Sequence, residues 1–100
     1  MSATLVVQLG AMNPLRTHRT LRAELDTEFQ PEDVYEACNR IESFWTDLDN
    51  LPHEWQKSLR RQLDGLNASS MSVGDYFDVT IGEHTMRHIC LPTGWEKVTR

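Results

Sequence analysis

Tyr76-Phe77-Asp78-Val79-Thr80-Ile81-Gly82-Glu83-His84-Thr85-Met86-Arg87-His88-Ile89-Cys90-Leu91 decides the fold class. Phe77, Val79 and Ile81 alternate with Tyr76, Asp78 and Thr80. A period of two places the apolar set on one face of a strand. Gly82-Glu83 is a turn and Thr85 to Leu91 a second strand, so the stretch predicts a β-hairpin with one buried face. Pro92-Thr93-Gly94 turns again, and Trp95 to Val98 adds a short strand. Upstream, the polar loop Asn67 to Ser72 leads through Val73-Gly74-Asp75 into the hairpin.

A one-faced sheet needs a cover, and the middle of the chain has helical periodicity. Pro31 suits the first helical position, and Glu32 and Asp33 suit the positive end of the helix dipole. Val34, Ala37, Cys38, Ile41, Phe44, Trp45 and Leu48 then form one apolar stripe, predicting a helix over about 31–48. Asp49-Asn50 breaks it, with Asn50 as N-cap of a second helix. Trp55, Leu59, Leu63 and Leu66 carry that helix to Gly65 and Asn67. So short a link predicts an antiparallel helical hairpin. At the N-terminus, Thr4 to Leu9 reads as a strand that Gly10 ends. Ala11 to Thr20 reads as a loop around Asn13-Pro14. Leu21 to Glu28 is ambiguous: Leu21 to Leu25 fits one turn of helix or an edge strand, and a strand or irregular extended segment is favoured. The expected fold is α+β: a three- to four-stranded antiparallel sheet packed against a two-helix hairpin. Leu5, Val7, Phe77, Val79 and Ile81 are its expected sheet core, and Val34, Ile41, Phe44, Leu59 and Leu63 its helix core.

At 100 residues and 11.6 kDa the chain suits one domain, residues 1–100, with its own core. No apolar run is long enough to span a bilayer, and the start has no secretory-signal pattern. The expected location is therefore the cytoplasm. Cys38 and Cys90 fall on apolar faces and read as reduced core fillers. A net charge of −5 argues against direct nucleic-acid binding.

Charge is segregated along the chain. Residues 1–23 carry three arginines and no acid, whereas residues 24–54 carry ten acids and one base. The acids Glu24, Asp26, Glu28, Glu32, Asp33, Glu36, Glu42, Asp47 and Asp49, with Glu54, read either as a solvated helix face or as a surface that docks on a basic partner. DNA mimicry fits less well. Six acids along a helix of about 26 Å give one per roughly 4–5 Å. Duplex DNA carries one phosphate per about 1.7 Å.

Other chemistry is weaker. Glu83, His84, His88 and Cys90 are metal-ligating types, and the last three share a strand face, but no paired Cys-x-x-Cys knuckle accompanies them. Ser69, Ser70 and Ser72 lie near Asp75 without a nucleophile elbow, and Asp75 reads as a turn cap rather than a base. Arg16, His18, Arg19 and Arg22 form a small basic arm, a weak footprint for phosphate on a chain of net −5 and otherwise suited to pairing with the acidic helix of the same chain. Trp45 and Trp55 read as core. No catalytic residue and no cofactor is expected.

Asp33-Val34-Tyr35-Glu36-Ala37-Cys38-Asn39, Ser70-Met71-Ser72-Val73-Gly74-Asp75 and Gly94-Trp95 together resemble segments of small uncharacterised phage and plasmid proteins with a C-terminal "SMSVGD…GW" signature. That resemblance implies a mobile-element accessory protein without an assigned activity. Read with the charge map, it leads to the expectation of a non-catalytic protein that binds a basic surface of a host protein. An inhibitor of host defence, such as a CRISPR–Cas inhibitor, is one form of this. Two alternatives stand beside it. One is a small metal-binding protein or enzyme using His84, His88 and Cys90. The other is a structural homo-oligomer, such as a homodimer, paired through a hairpin edge.

Overall fold

The computed structural model describes residues 3–39 and 47–100 of the chain. Five strands and two helices follow in the order β1 (Ala3–Leu9), β2 (Arg19–Leu25), α1 (Pro31–Ala37), α2 (Glu54–Gly65), β3 (Tyr76–Ile81), β4 (His84–Leu91) and β5 (Gly94–Thr99). Among the described residues, a 3-10 turn, Leu48–Asn50, precedes α2. The strands form one antiparallel sheet in the order β2-β1-β3-β4-β5. The fold is thus α+β as expected, with five strands rather than three or four. The ambiguous segment is a full strand, since Leu21 and Leu25 alternate inward opposite Val7 and Ala3.

One face of the sheet is apolar and carries the helices. Leu5, Val7, Phe77, Val34, Leu59 and Leu63 are fully buried there, and Val79 nearly so. Ile81 is not the core residue expected, being 44% exposed at the far end of β3. Expected core residues Ile41 and Phe44 lie outside the described residues, as do Trp45 and Glu42. The opposite face is a polar ladder. Asp78 takes a two-point grip from Arg87 at 2.8 and 3.0 Å and a third bond from Arg100 at 3.0 Å. Arg87 also lies 3.9 Å over the Tyr76 ring, and Thr80 bonds Thr85 across the hairpin.

The first helix is shorter than its periodicity predicts, ending at Ala37 with Cys38 as C-cap. The cause is Arg60. Its buried guanidinium donates to the carbonyls of Ala37 at 2.8 Å, Glu36 at 2.8 Å and Asn39 at 3.0 Å. These are the carbonyls that a continuing helix would use internally. Met71 N donates to Cys38 O at 2.8 Å and adds to the stop. Consequently α1 and α2 pack together but are not joined by the short link expected. The second helix begins later than expected too. His53 is its N-cap, with its N–H donating to Gln56 Oε1, and Asn50 belongs to the 3-10 turn.

Asp75 ties the two chain segments that flank the sheet centre. Its carboxylate is 3% exposed and accepts from Gly10 N at 2.8 Å, Ser72 N at 2.9 Å and Arg16 Nη1 at 2.8 Å. Arg16 therefore pairs with Asp75 and not with the acidic segment. Arg16 also reaches Ser72 Oγ and Ser70 O. Gly10 sits at φ +75°, and a Cβ there would stand 2.7 Å from Thr17 O. Ser70, Ser72 and Asp75 are all held in this knot, while Met71 N and Gly74 N bond Cys38 O and Cys90 O. Asp75→Ala leaves two backbone N–H groups and a guanidinium without their acceptor, so it should cost about 3–5 kcal/mol. Arg16→Ala, partly exposed at 20%, should cost about 1–3 kcal/mol. Urea unfolding followed by far-UV circular dichroism measures both, and equal losses would refute the carboxylate's primacy.

Candidate functional site

An aromatic cluster fixes α1 to the sheet and shapes the adjoining surface. Phe77 stacks on His88 at 4.6 Å with nearly parallel rings and meets Trp95 edge-on at 5.4 Å. Phe29, from the link before α1, packs edge-on against both Phe77 and His88. Tyr35 of α1 meets Trp95 edge-on at 6.4 Å. Beyond Phe29 the cover stops, because α1 lies toward the Trp95 end of the sheet. The inner face of β3, β4 and β5 is left as an open groove.

The groove has two adjoining parts that share Phe29, Gln30, Val79 and Ile81. One part, of about 520 Å³, runs toward Leu25, Asp26 and Glu28. The other, of about 540 Å³, is walled by Pro31 and Met86 and bordered by His84, His88 and Lys97. The floor is apolar and the two ends carry opposite charge. Pairing register explains this: Met86, His88, Lys97 and Thr99 point to the same face because Met86 stands opposite Thr99 and His88 opposite Lys97.

His88 is the polar residue most withdrawn at this site, at 6% exposure, and its Nδ1 is sealed from solvent. Burial, then the Lys97 charge, hold its pKa below the ordinary 6.5. On the other face, burial alone would raise Asp78, yet the bonds and charges of Arg87 and Arg100 hold it below 3.8.

The acids singled out in the sequence do not share one helix face. Glu24 lies on the polar sheet face against Thr4, and Asp26 and Glu28 are exposed at the groove. Glu32 is exposed beside Tyr35 and Trp95. Asp33 is committed to the helix start, its Oδ2 accepting from Gln30 N at 2.9 Å. Glu36 is half-buried on α1, and Asp47 and Asp49 are exposed around the 3-10 turn. Among the described residues no ion pair involves any of these acids, whereas Asp75 and Asp78 are both paired.

Metal and nucleophile chemistry fare less well. His88 and Cys90 do share a face, but His84 is exposed at the turn end, and among the described residues no three His, Cys, Asp or Glu side chains converge as metal ligands. Cys38 and Cys90 are both free and buried. Burial pushes the Cys38 thiol up to about 12 against the nearby Arg60 charge, and burial raises Cys90 too. Trp55 is buried in the core, as its helical spacing indicated. Among the described residues no helix is long and apolar enough to cross a membrane. Comparison with protein-family models, curated proteins and solved structures finds no match to the chain.

The two shifted groups give separable pH effects. Above about pH 7 His88 is neutral in folded and unfolded chains alike. As pH falls below 6.5 the unfolded chain takes the proton first, so stability drops until the folded His88 also titrates. The Asp78 contribution is present above 3.8 and disappears below it, as pH falls through the lowered folded value. Urea midpoints across pH should therefore show two acid limbs. His88→Phe should flatten the upper limb and Asp78→Asn the lower, and an upper limb unchanged in His88→Phe would assign it elsewhere.

Proposed function

We propose that the protein is a non-catalytic binding module that docks on a basic surface of a partner protein through its acid-rich middle segment. The observation that carries this reading is the absence of ion pairs, among the described residues, along Glu24 to Asp49, in a fold that pairs Asp75 and Asp78 tightly. Unneutralised like charge costs self-repulsion in the folded state, and a basic partner relieves it. Such charge raises association rates and makes binding salt-sensitive over a screening length of about 8 Å. The exposed acids Asp26, Glu28 and Glu32 sit beside aromatic and aliphatic groups, Phe29, Tyr35 and Trp95, which give the surface apolar anchors as well as charge.

The non-catalytic part of the reading rests on how reactive side chains are used. Cys38 is sealed, and Ser70, Ser72 and Asp75 are bound into the Arg16 knot. The host-protein setting rests on the phage- and plasmid-like signature, of which Ser70, Ser72 and Asp75 serve that same knot and Trp95 lies at the proposed surface.

Reversal of Asp26, Glu28 and Glu32 to lysine tests the reading while sparing Asp33, which the helix start needs. Affinity capture from host-cell lysate, read by mass spectrometry at low and high salt, should yield a partner lost at high salt. The triple reversal, with unchanged circular dichroism, should weaken that partner by at least about tenfold. Equal capture by the reversal variant would make the acids a solvated face only.

A further inference from the structure

We propose that the groove over β3, β4 and β5 is a binding site for a small amphipathic carboxylate, with its apolar body on Phe29, Val79, Ile81 and Met86 and its head toward Lys97 and His88. The site adjoins the docking surface and shares Phe29 with it, but its head end uses the inner sheet face and a charge of the opposite sign.

Three observations converge on the Lys97 end. Its volume, about 540 Å³, suits a medium-chain or single-ring ligand. Its floor keeps Ile81, a large aliphatic side chain, 44% exposed. Its wall contains His88, nine-tenths buried, whose Nδ1 is sealed from solvent and feels the Met86 backbone. The ring borders the groove beside Lys97 and makes that end polar. Lys97 stands opposite His88 in the register, exposed and outside the described ion pairs, and gives the head its countercharge. His84 borders the same end. Asp78, the nearest acid to His88 in effect, is on the other sheet face and already neutralised by Arg87 and Arg100. The far end of the groove, with Asp26 and Glu28, repels a carboxylate and so sets the ligand's direction.

Octanoate, octanol and octylammonium, titrated into the full chain labelled with 13C methyl groups, distinguish the alternatives. Octanoate should shift Val79, Ile81 and Met86 methyl resonances and the His88 ring, and should bind about two- to fivefold more tightly than octanol. Lys97→Glu, at an exposed position, should remove that preference and leave octanol binding unchanged. His88→Phe keeps the ring stack on Phe77 and should weaken octanoate but not octanol. Tighter binding of octylammonium would place the head at Asp26 and Glu28 and overturn the assignment. So would octanoate shifts confined to other faces, or an octanoate affinity indifferent to Lys97→Glu. None of these outcomes depends on capture of a partner protein by the acidic surface.

Discussion

The buried carboxylate of Asp75 is the constraint on which the arrangement of this chain depends. A charged group with 3% exposure is tolerated only when its oxygens are filled, and here three donors make four hydrogen bonds to them. Those donors come from the end of β1, from the loop that leads to β2, and from the turn that enters β3. One side chain therefore sets where β1 stops, how the loop behind it returns, and where the C-terminal hairpin begins. The β3–β4 register then follows through Cys90 N on Asp75 O and Gly74 N on Cys90 O. Gly10 is required twice over, for its positive φ and for the close approach of its backbone to Thr17.

A second buried charge, Arg60, decides the shape of the helical layer. By taking three carbonyls at the end of α1 it replaces helix continuation with a cap. That substitution has an electrostatic consequence. Among the described residues, the acids that would have lined one long helix are instead divided between the short α1 and the 3-10 turn. Glu32, Asp33 and Glu36 lie along about 10 Å of α1, too short a run to imitate a phosphate ladder. Dispersed acids around aromatic groups favour a protein surface over a phosphate-like ladder.

The C-terminal hairpin was legible because a period of two is short and local. Tyr76 to Ile81, the Gly82-Glu83 turn and the strand Thr85 to Leu91 needed no partner to be read, whereas β2 stayed ambiguous without its pairing to β1. The helix boundary was not legible, because the apolar stripe runs on past Ala37 and only a guanidinium 23 residues away ends it. Arg60 itself sits among Lys57, Arg61 and Gln62, where it looks like surface charge. Ile81 obeyed the strand period but not the burial it implies, since burial depends on where α1 stops. Asp75 was read as a turn cap, which it is through Ser72, but its grip on Gly10 and Arg16 spans 65 and 59 residues and leaves no local mark. The groove is likewise a product of register and of missing cover, so His88 and Lys97 entered the sequence reading only as a metal-like residue and a bystander.

The two edges of the sheet are treated differently, and this bears on self-association. Gln62 of α2 lies along the β2 edge, accepting from Arg22 N at 2.9 Å and donating to Arg22 O at 2.7 Å, as a neighbouring strand would. The β5 edge is exposed along Glu96 to Thr99. Pairing two copies of β5 antiparallel with their faces matched requires opposed residue numbers that sum to an even value. The registers of longest overlap then set Glu96 against Glu96, or Lys97 against Lys97. Like charges directly opposite each other destabilise a ladder. Moving the axis to Val98 relieves this, but shortens the paired stretch and draws on Arg100, which already holds Asp78. The alternating Glu96 and Lys97 thus act as a guard on the edge, and one of the two, Lys97, turns its charge inward to the groove.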